Sequence, residues 1–122
     1  MNITLSFVDK IEDRPALAAM LDAYGREMMP QLAAIGGPEI DPAHLSNVID
    51  NPEELLPPRH RLLLARTGER LIGCASLRRI RDDAAEMKRM YVAPDARGTG
   101  LGRRLFETRI EEARRMGLTW LY

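Results

Sequence analysis

The chain has 122 residues, enough for one domain with a core of its own. Hydrophobic residues make up 45% and charged residues 30%, with 18 basic side chains against 18 acidic ones, so no basic excess is present to hold nucleic acid or an anionic membrane. Cys74 is the single cysteine and His44 and His60 the only histidines, which excludes a disulfide framework and predicts no metal site.

Residues 3–8 alternate as a strand does and end at Asp9 and Lys10, too short an apolar stretch for a signal peptide or a membrane span. A reducing cytoplasm fits this pattern and the cysteine usage. Asp13 and Pro15 signal a helix start. Leu17, Met20, Leu21, Tyr24, Met28, Leu32 and Ile35 follow at helical spacing, with Met20, Met28 and Met29 assigned to the core face. Pro30 is expected to kink or split that helix, and Gly36-Gly37-Pro38 to end it. Asp41-Pro42 predicts a second, short helix to about Ile49, and the proline-rich stretch 51–58 an irregular connection.

Two apolar runs, 61–65 and 71–77, flank Thr67-Gly68-Glu69-Arg70 and read as a hairpin. Gly73 inside the second run predicts a bulge or a close approach of another backbone. Arg81-Asp82-Asp83 is a further turn, and 85–92 a further strand. A helix is expected from about Gly100 to Met116, with Gly102, Phe106, Ile110 and Ala113 on one face and Leu105 beside them. Arg103–Glu107 and Glu111–Arg115 have pairing distance on the polar side, and Gly117 is placed to cap the end. Residues 118–122 begin another strand. The order β-α-α-β-β-β-α-β predicts a mixed, mostly antiparallel sheet with flanking helices, in which the last strand lies parallel to the fourth.

The densest chemical signal is Val92-Ala93-Pro94-Asp95-Ala96-Arg97-Gly98-Thr99-Gly100-Leu101-Gly102-Arg103, a strand that enters a glycine-rich turn and then a helix. Such a turn exposes backbone N–H groups at the positive end of a helix, a seat for phosphate. Glycine at 98, 100 and 102 permits positive φ and keeps side chains out of the way, while Leu101 packs inward. Arg97, with Arg103 or Arg104, adds charge. A dinucleotide fingerprint requires a third glycine where Arg103 stands, and a Walker loop requires Gly-Lys-Ser/Thr; both fail.

Arg-x-x-Gly-x-Gly after a Val-x-Pro strand end resembles the GNAT superfamily of N-acetyltransferases. The resemblance covers the element order of the whole chain and, at motif level, residues 85–122. It implies acetyl-CoA as cosubstrate, with its pyrophosphate on Arg97, Gly98, Thr99, Gly100, Leu101, Gly102 and Arg103. Residues 85–92 resemble the family's fourth strand, which splays from the fifth so that the backbone of Met90, Tyr91 and Val92 receives the pantetheine arm and polarises the thioester carbonyl. By simple alternation Glu86, Lys88, Met90 and Val92 face one way, and Met87, Arg89 and Tyr91 the other.

Acetyl transfer needs a neutral amine, so a carboxylate that accepts the ammonium proton is useful. Glu86 matches the position where several family members place that base; its alternative reading is a strand-end carboxylate paired with Lys88 or a neighbouring arginine. Lys88 and Arg89 read as rim charges, Tyr91 as packing on the helix behind the sheet, and Cys74 as a small core residue. Glu39, Asp41, Glu53 and Glu54 fall in the region that walls the acceptor site in this family, and otherwise read as a solvated acidic loop.

A full GNAT domain continues beyond its fifth strand with a helix and two strands, so residues 1–122 read as a single domain incomplete at its C-terminus. Tyr122 does not inherit the family's general-acid tyrosine. The uncovered edge carrying Trp120 and Leu121 predicts a homo-oligomer. The expected function is direct transfer of acetyl from acetyl-CoA to a primary amine, on a small molecule or a protein. The alternative is a non-catalytic acyl-CoA-binding module or an inactive fragment.

Overall fold

The computed structural model describes residues 2–39, 41 and 47–122. Strand β1 (Thr4–Val8) leads into helix α1 (Arg14–Ala34). Asp13 Oδ1 accepts from the Ala16 amide at 3.2 Å, and Pro15 sits in the first turn, where its missing N–H costs nothing. Of the two outcomes expected at Pro30, the split does not occur, and the helix runs on to Ala34. Pro30 is exposed, so the carbonyl that loses its partner, that of Arg26, faces water rather than the core. The helix closes where the two glycines predict. Gly36 (φ 74°) donates to the Ala33 carbonyl at 3.1 Å and Gly37 to that of Leu32 at 2.8 Å, the paired bonds of a left-handed helix end. Ile35, the last member of the predicted apolar stripe, lies beyond this end and is 80% exposed.

The helix expected to open at Asp41-Pro42 falls largely on residues 42–46, outside the described residues. Short 3-10 turns at Asn47–Asp50 and Pro52–Glu54 then bury Val48, Ile49 and Leu55 against α1. The hairpin follows as β2 (His60–Thr67) and β3 (Arg70–Arg81), joined through Gly68 at φ 59°. Strand β4 (Ala84–Val92) turns back beside β3. Helix α2 (Leu101–Arg115) crosses over, and β5 (Trp120–Leu121) lies parallel to β4. The sheet order is β1-β2-β3-β4-β5, antiparallel except at the last pair.

The near-continuous apolar runs of β2 and β3 arise because both sheet faces are covered. Leu62, Leu64 and Cys74 meet Leu17, Met20 and Leu21 of α1 on one side. Leu63, Ala65, Ile72 and Ala75 meet Leu101 and Leu105 of α2 on the other. Both features predicted at Gly73 occur. The β2–β3 register slips after Ala65, leaving Ile72 extra, and a Cβ on Gly73 would stand 3.2 Å from the Tyr91 carbonyl oxygen and 3.2 Å from Leu101 Cδ2.

The inward face of α2 is Leu101, Leu105, Arg109 and Ala113, not the stripe through Gly102, Phe106 and Ile110; Phe106 is 43% exposed. The buried Arg109 caused the misreading, since periodicity counts arginine as a polar-face residue. On the outer face Arg103 pairs with Glu107 at 2.8 Å as expected, whereas Glu111 pairs with Arg114 rather than Arg115. Gly117 (φ 73°) ends the helix as predicted. The half-buried ion pair Arg61–Glu112 (3.3 Å) ties β2 to α2.

Candidate active site

Strand β4 ends at Val92, and Pro94–Ala96 makes one 3-10 turn before the glycines. Gly98 (φ 83°) and Gly100 (φ 84°) occupy the left-handed region, which side chains rarely adopt, and a Cβ at either would meet no protein atom within 4 Å. Gly102 does not share this role. It is an ordinary helical residue with open space beside it, so the expected positive φ holds at two of the three glycines. Thr99 turns its hydroxyl inward to the Ala96 carbonyl at 2.6 Å, and Leu101 is buried. The first helical bond runs from Arg104 N–H to the Gly100 carbonyl. Upstream of it the amides of residues 98–103 donate to no protein group among the described residues. Six bare amides at the positive end of a 15-residue helix, capped by no side chain, form an anion seat.

Arg97 does not project freely beside those amides. Its Nε donates to the Val92 carbonyl (3.0 Å), its Nη2 to Glu27 of α1 (2.7 Å), and its guanidinium lies 5.5 Å from the centre of the Tyr91 ring. Arg97 thus ties the turn to α1. Arg103 is held by Glu107, leaving its charge on the outer face of α2.

From Arg97 and Glu27 a groove follows β4 beneath α1. Its first part, about 240 Å³, is lined by Tyr24, Glu27, Met28, Gln31, Met90 and Tyr91. Its second, about 360 Å³, is lined by Tyr24, Met28, Glu86, Met87, Lys88 and Arg89. Met28, expected in the core, lines both parts instead.

Between them β4 is bulged. Cys74 pairs with Tyr91 and Ser76 with Lys88, so Arg89 and Met90 stand opposite Ala75 alone, and Arg89 takes φ 51°. The bulge overturns the simple alternation. Tyr91 shares the α1 face with Cys74, and Val92 packs on the α2 side. Strand β5 pairs only with the beginning of β4, ending at the bond from Met87 N–H to the Tyr122 carbonyl (2.7 Å). From Lys88 to Val92 the outer edge of β4 has no strand against it among the described residues.

Arg109 supports the bulge from the α2 side. It is 3% exposed, burial pushes its pKa down, and no carboxylate pairs with it among the described residues. Instead Nη1 donates to the carbonyls of Ser76 (3.2 Å) and Lys88 (3.4 Å), and Nη2 reaches Met90 Sδ (3.3 Å). Its guanidinium satisfies carbonyls at the point where the β3–β4 ladder breaks. Arg109→Ala would take a donor from the buried carbonyls of Ser76 and Lys88, the second of which keeps Ser76 Oγ at 3.1 Å, and is expected to cost about 2–3 kcal/mol, measured by urea unfolding.

Glu86 lies opposite Arg78 in the β3–β4 register. Its Oε1 is 3.3 Å from Arg78 Nε and 3.8 Å from Lys88 Nζ, the pairing its alternative reading foresaw. Cys74 is fully buried and its thiol is pushed up to about 12 by burial, which leaves it inert at neutral pH, as expected of a core residue. Glu39 and Glu54 are exposed.

The Acetyltransferase (GNAT) family matches residues 17–122, which includes most of α1, the bulged strand, the glycine turn and α2. The chain belongs to this family. An IAA acetyltransferase of Azospirillum brasilense is 37% identical over 84 residues, covering 68% of this chain and 54% of that protein, so the chain spans about half the length of this curated relative. Among solved structures, PaiA N-acetyltransferase of Thermoplasma acidophilum in complex with coenzyme A is similar with TM-score 0.69 at 21% identity, over 100% of this chain and 79% of that one. The ribosomal-protein-alanine N-acetyltransferase of Brucella melitensis biovar Abortus 2308 gives TM-score 0.70 at 17% identity, over 99% and 78%. These likenesses bear out the predicted fold.

Acetyl-CoA is the cosubstrate of GNAT enzymes. The residues present fit it: bare amides and two side-chain-free positive-φ positions for phosphate, then a strand edge with no strand against it among the described residues. The buried role of Arg109 escaped the sequence reading. The signal available for Arg109 was its i+4 spacing after Leu101 and Leu105. No helix is long and apolar enough to cross a membrane among the described residues.

Proposed function

We propose that the chain carries the acyl-CoA and acceptor sites of an N-acetyltransferase that acts on a primary amine. The observation that carries this reading is the run of six undonated amides from Gly98 to Arg103 at the head of α2, adjoining the open edge of β4. The turn binds the pyrophosphate, and the backbone of Met90, Tyr91 and Val92 receives the pantetheine. Arg97 acts mainly by bracing the turn against Glu27. The amine nitrogen attacks the thioester carbonyl carbon directly; the C–N bond forms, the C–S bond breaks, and the thiolate of coenzyme A leaves.

In this reading Glu86 accepts the ammonium proton through Oε2, directly or by way of water, while Oε1 is steadied by Arg78 and Lys88. Both of the carboxylate's sequence readings then hold together. The test is an amine panel assayed for coenzyme A release, beside calorimetric titration with acetyl-CoA. Glu86→Gln is expected to lower kcat by about 10²-fold or more at neutral pH, with acetyl-CoA affinity unchanged. Cofactor binding with no turnover on any amine would favour the non-catalytic module instead.

A further inference from the structure

The charge around the inner groove does not suit a simple cationic acceptor. Glu86 is the one carboxylate lining that 360 Å³ cavity among the described residues, and Arg78 and Lys88 already lie within 4 Å of it. Lys88 and Arg89 line the same cavity, whereas Arg89 has no ion pair with any carboxylate among the described residues. Its Nε is buried and donates to nothing, as is true of Arg78 Nε, but Arg78 has the Glu86 carboxylate 3.3 Å away whereas Arg89 has no acid beside it among the described residues. A buried donor left unmet is rare and calls for an explanation. Arg89 also sits at φ 51° in the bulge, a backbone strain found mostly where a side chain is being aimed.

The neighbouring groups report the same field. His60, 8% exposed on β2, has its pKa pushed down first by burial and then by Arg89, Arg78, Arg59 and Lys88. Lys88 is pushed down by burial and by Arg89 and Arg78, against the opposing pull of Glu86 and Glu54. Tyr24, across the cavity on α1, is raised by burial and eased by Arg89.

We infer that the acceptor carries a carboxylate as well as an amine, and that Arg89 binds the carboxylate in the groove between Tyr24, Met28 and Lys88. An arginine with free donors matches the two oxygens of a carboxylate. The acceptor's amine then lies towards Glu86. Amino acids are the smallest class with both groups on one carbon skeleton. The inference deepens the acyl-transfer reading and rests on it for the direction of the amine, but its test reads binding and needs no turnover.

The protein loaded with coenzyme A is titrated with the L-amino acids and with their carboxamides, followed by saturation-transfer NMR and calorimetry. At least one acid is expected to bind roughly 30-fold or more tightly than its own amide. Arg89→Met should abolish that difference and Arg89→Lys restore part of it, with coenzyme A affinity and the circular dichroism spectrum retained in both. Amides that bind as well as acids would overturn the inference. So would an acid preference that survives in Arg89→Met, or the binding of no amino acid by a protein that still binds coenzyme A. Acid binding without acetylation would uphold Arg89 as the carboxylate site and count against the enzyme reading alone.

Discussion

Replacing Gly100 with valine is expected to weaken acetyl-CoA binding by roughly a hundredfold or more, with only a small loss of stability. At φ 84° a β-branched residue is strained, so the turn would rotate to relieve it. Rotation carries the amides of 100, 101 and 102 away from a common focus. Losing two charge-assisted bonds at about 1.5–3 kcal/mol each accounts for the affinity change. The strain itself costs about 1–2 kcal/mol, and no protein atom lies within 4 Å of the new Cβ to add a clash. Calorimetry with acetyl-CoA and urea unfolding separate the two effects. An unchanged affinity would show that the phosphates are held elsewhere. Gly102→Ala is the contrasting case, because that residue already has helical geometry and open space beside it; its fold should be unaffected.

Gly73→Val is expected to reverse the pattern, removing stability first and cofactor binding only as a consequence. Its Cβ would meet the Tyr91 carbonyl and Leu101 Cδ2, each at 3.2 Å, and Leu105 Cδ1 at 3.4 Å. The carbonyl belongs to a paired strand and yields little, so α2 must lift from the sheet. Over-packing of this kind costs about 1–3 kcal/mol. The two γ-carbons and the loosened contacts of the fully buried Leu101 and Leu105 place valine at or above the upper end. Thermal unfolding should fall by roughly 10 °C. A melting temperature within a degree or two of the parent would mean that the helix–sheet contact is looser than the structure indicates.

These two positions also mark what the sequence makes legible. A glycine constrains backbone locally, so Gly73, Gly98, Gly100 and Gly117 announce their roles without knowledge of the rest of the fold. The apolar runs of β2 and β3 did the same for the doubly covered centre of the sheet. Pro30 misled because its cost depends on whether the orphaned carbonyl faces water, which no local pattern records. The faces of β4 misled at Arg89–Met90 because a bulge adds one residue and reverses the parity of all that follow. Arg109 was hidden by its charge. Its partners are the carbonyls of Ser76 and Lys88, 33 and 21 positions away in the chain. Pairing of Glu86 with Lys88 or an arginine was visible as an option, but only the cross-strand register chooses Arg78, and only the folded groove leaves Arg89 without an acid.

The guanidinium beneath the bulge gives α2 a second duty. One end of this helix presents the bare amides, and nine residues after Gly100 the same rod grips the bent part of β4. At 1.5 Å per residue those points are roughly 13 Å apart along the axis. Helix α2 therefore works as a ruler, setting the spacing between the bare amides and the bend in the strand. Inserting one residue between Leu101 and Arg109 would lengthen it by about 1.5 Å and swing the arginine about 100° round the axis, off the sheet. The glycine turn would survive intact, yet its distance to the bulge would no longer be defined. An insertion after Arg109 would instead keep that spacing, at the expense of the Ala113 packing and the Arg61–Glu112 pair.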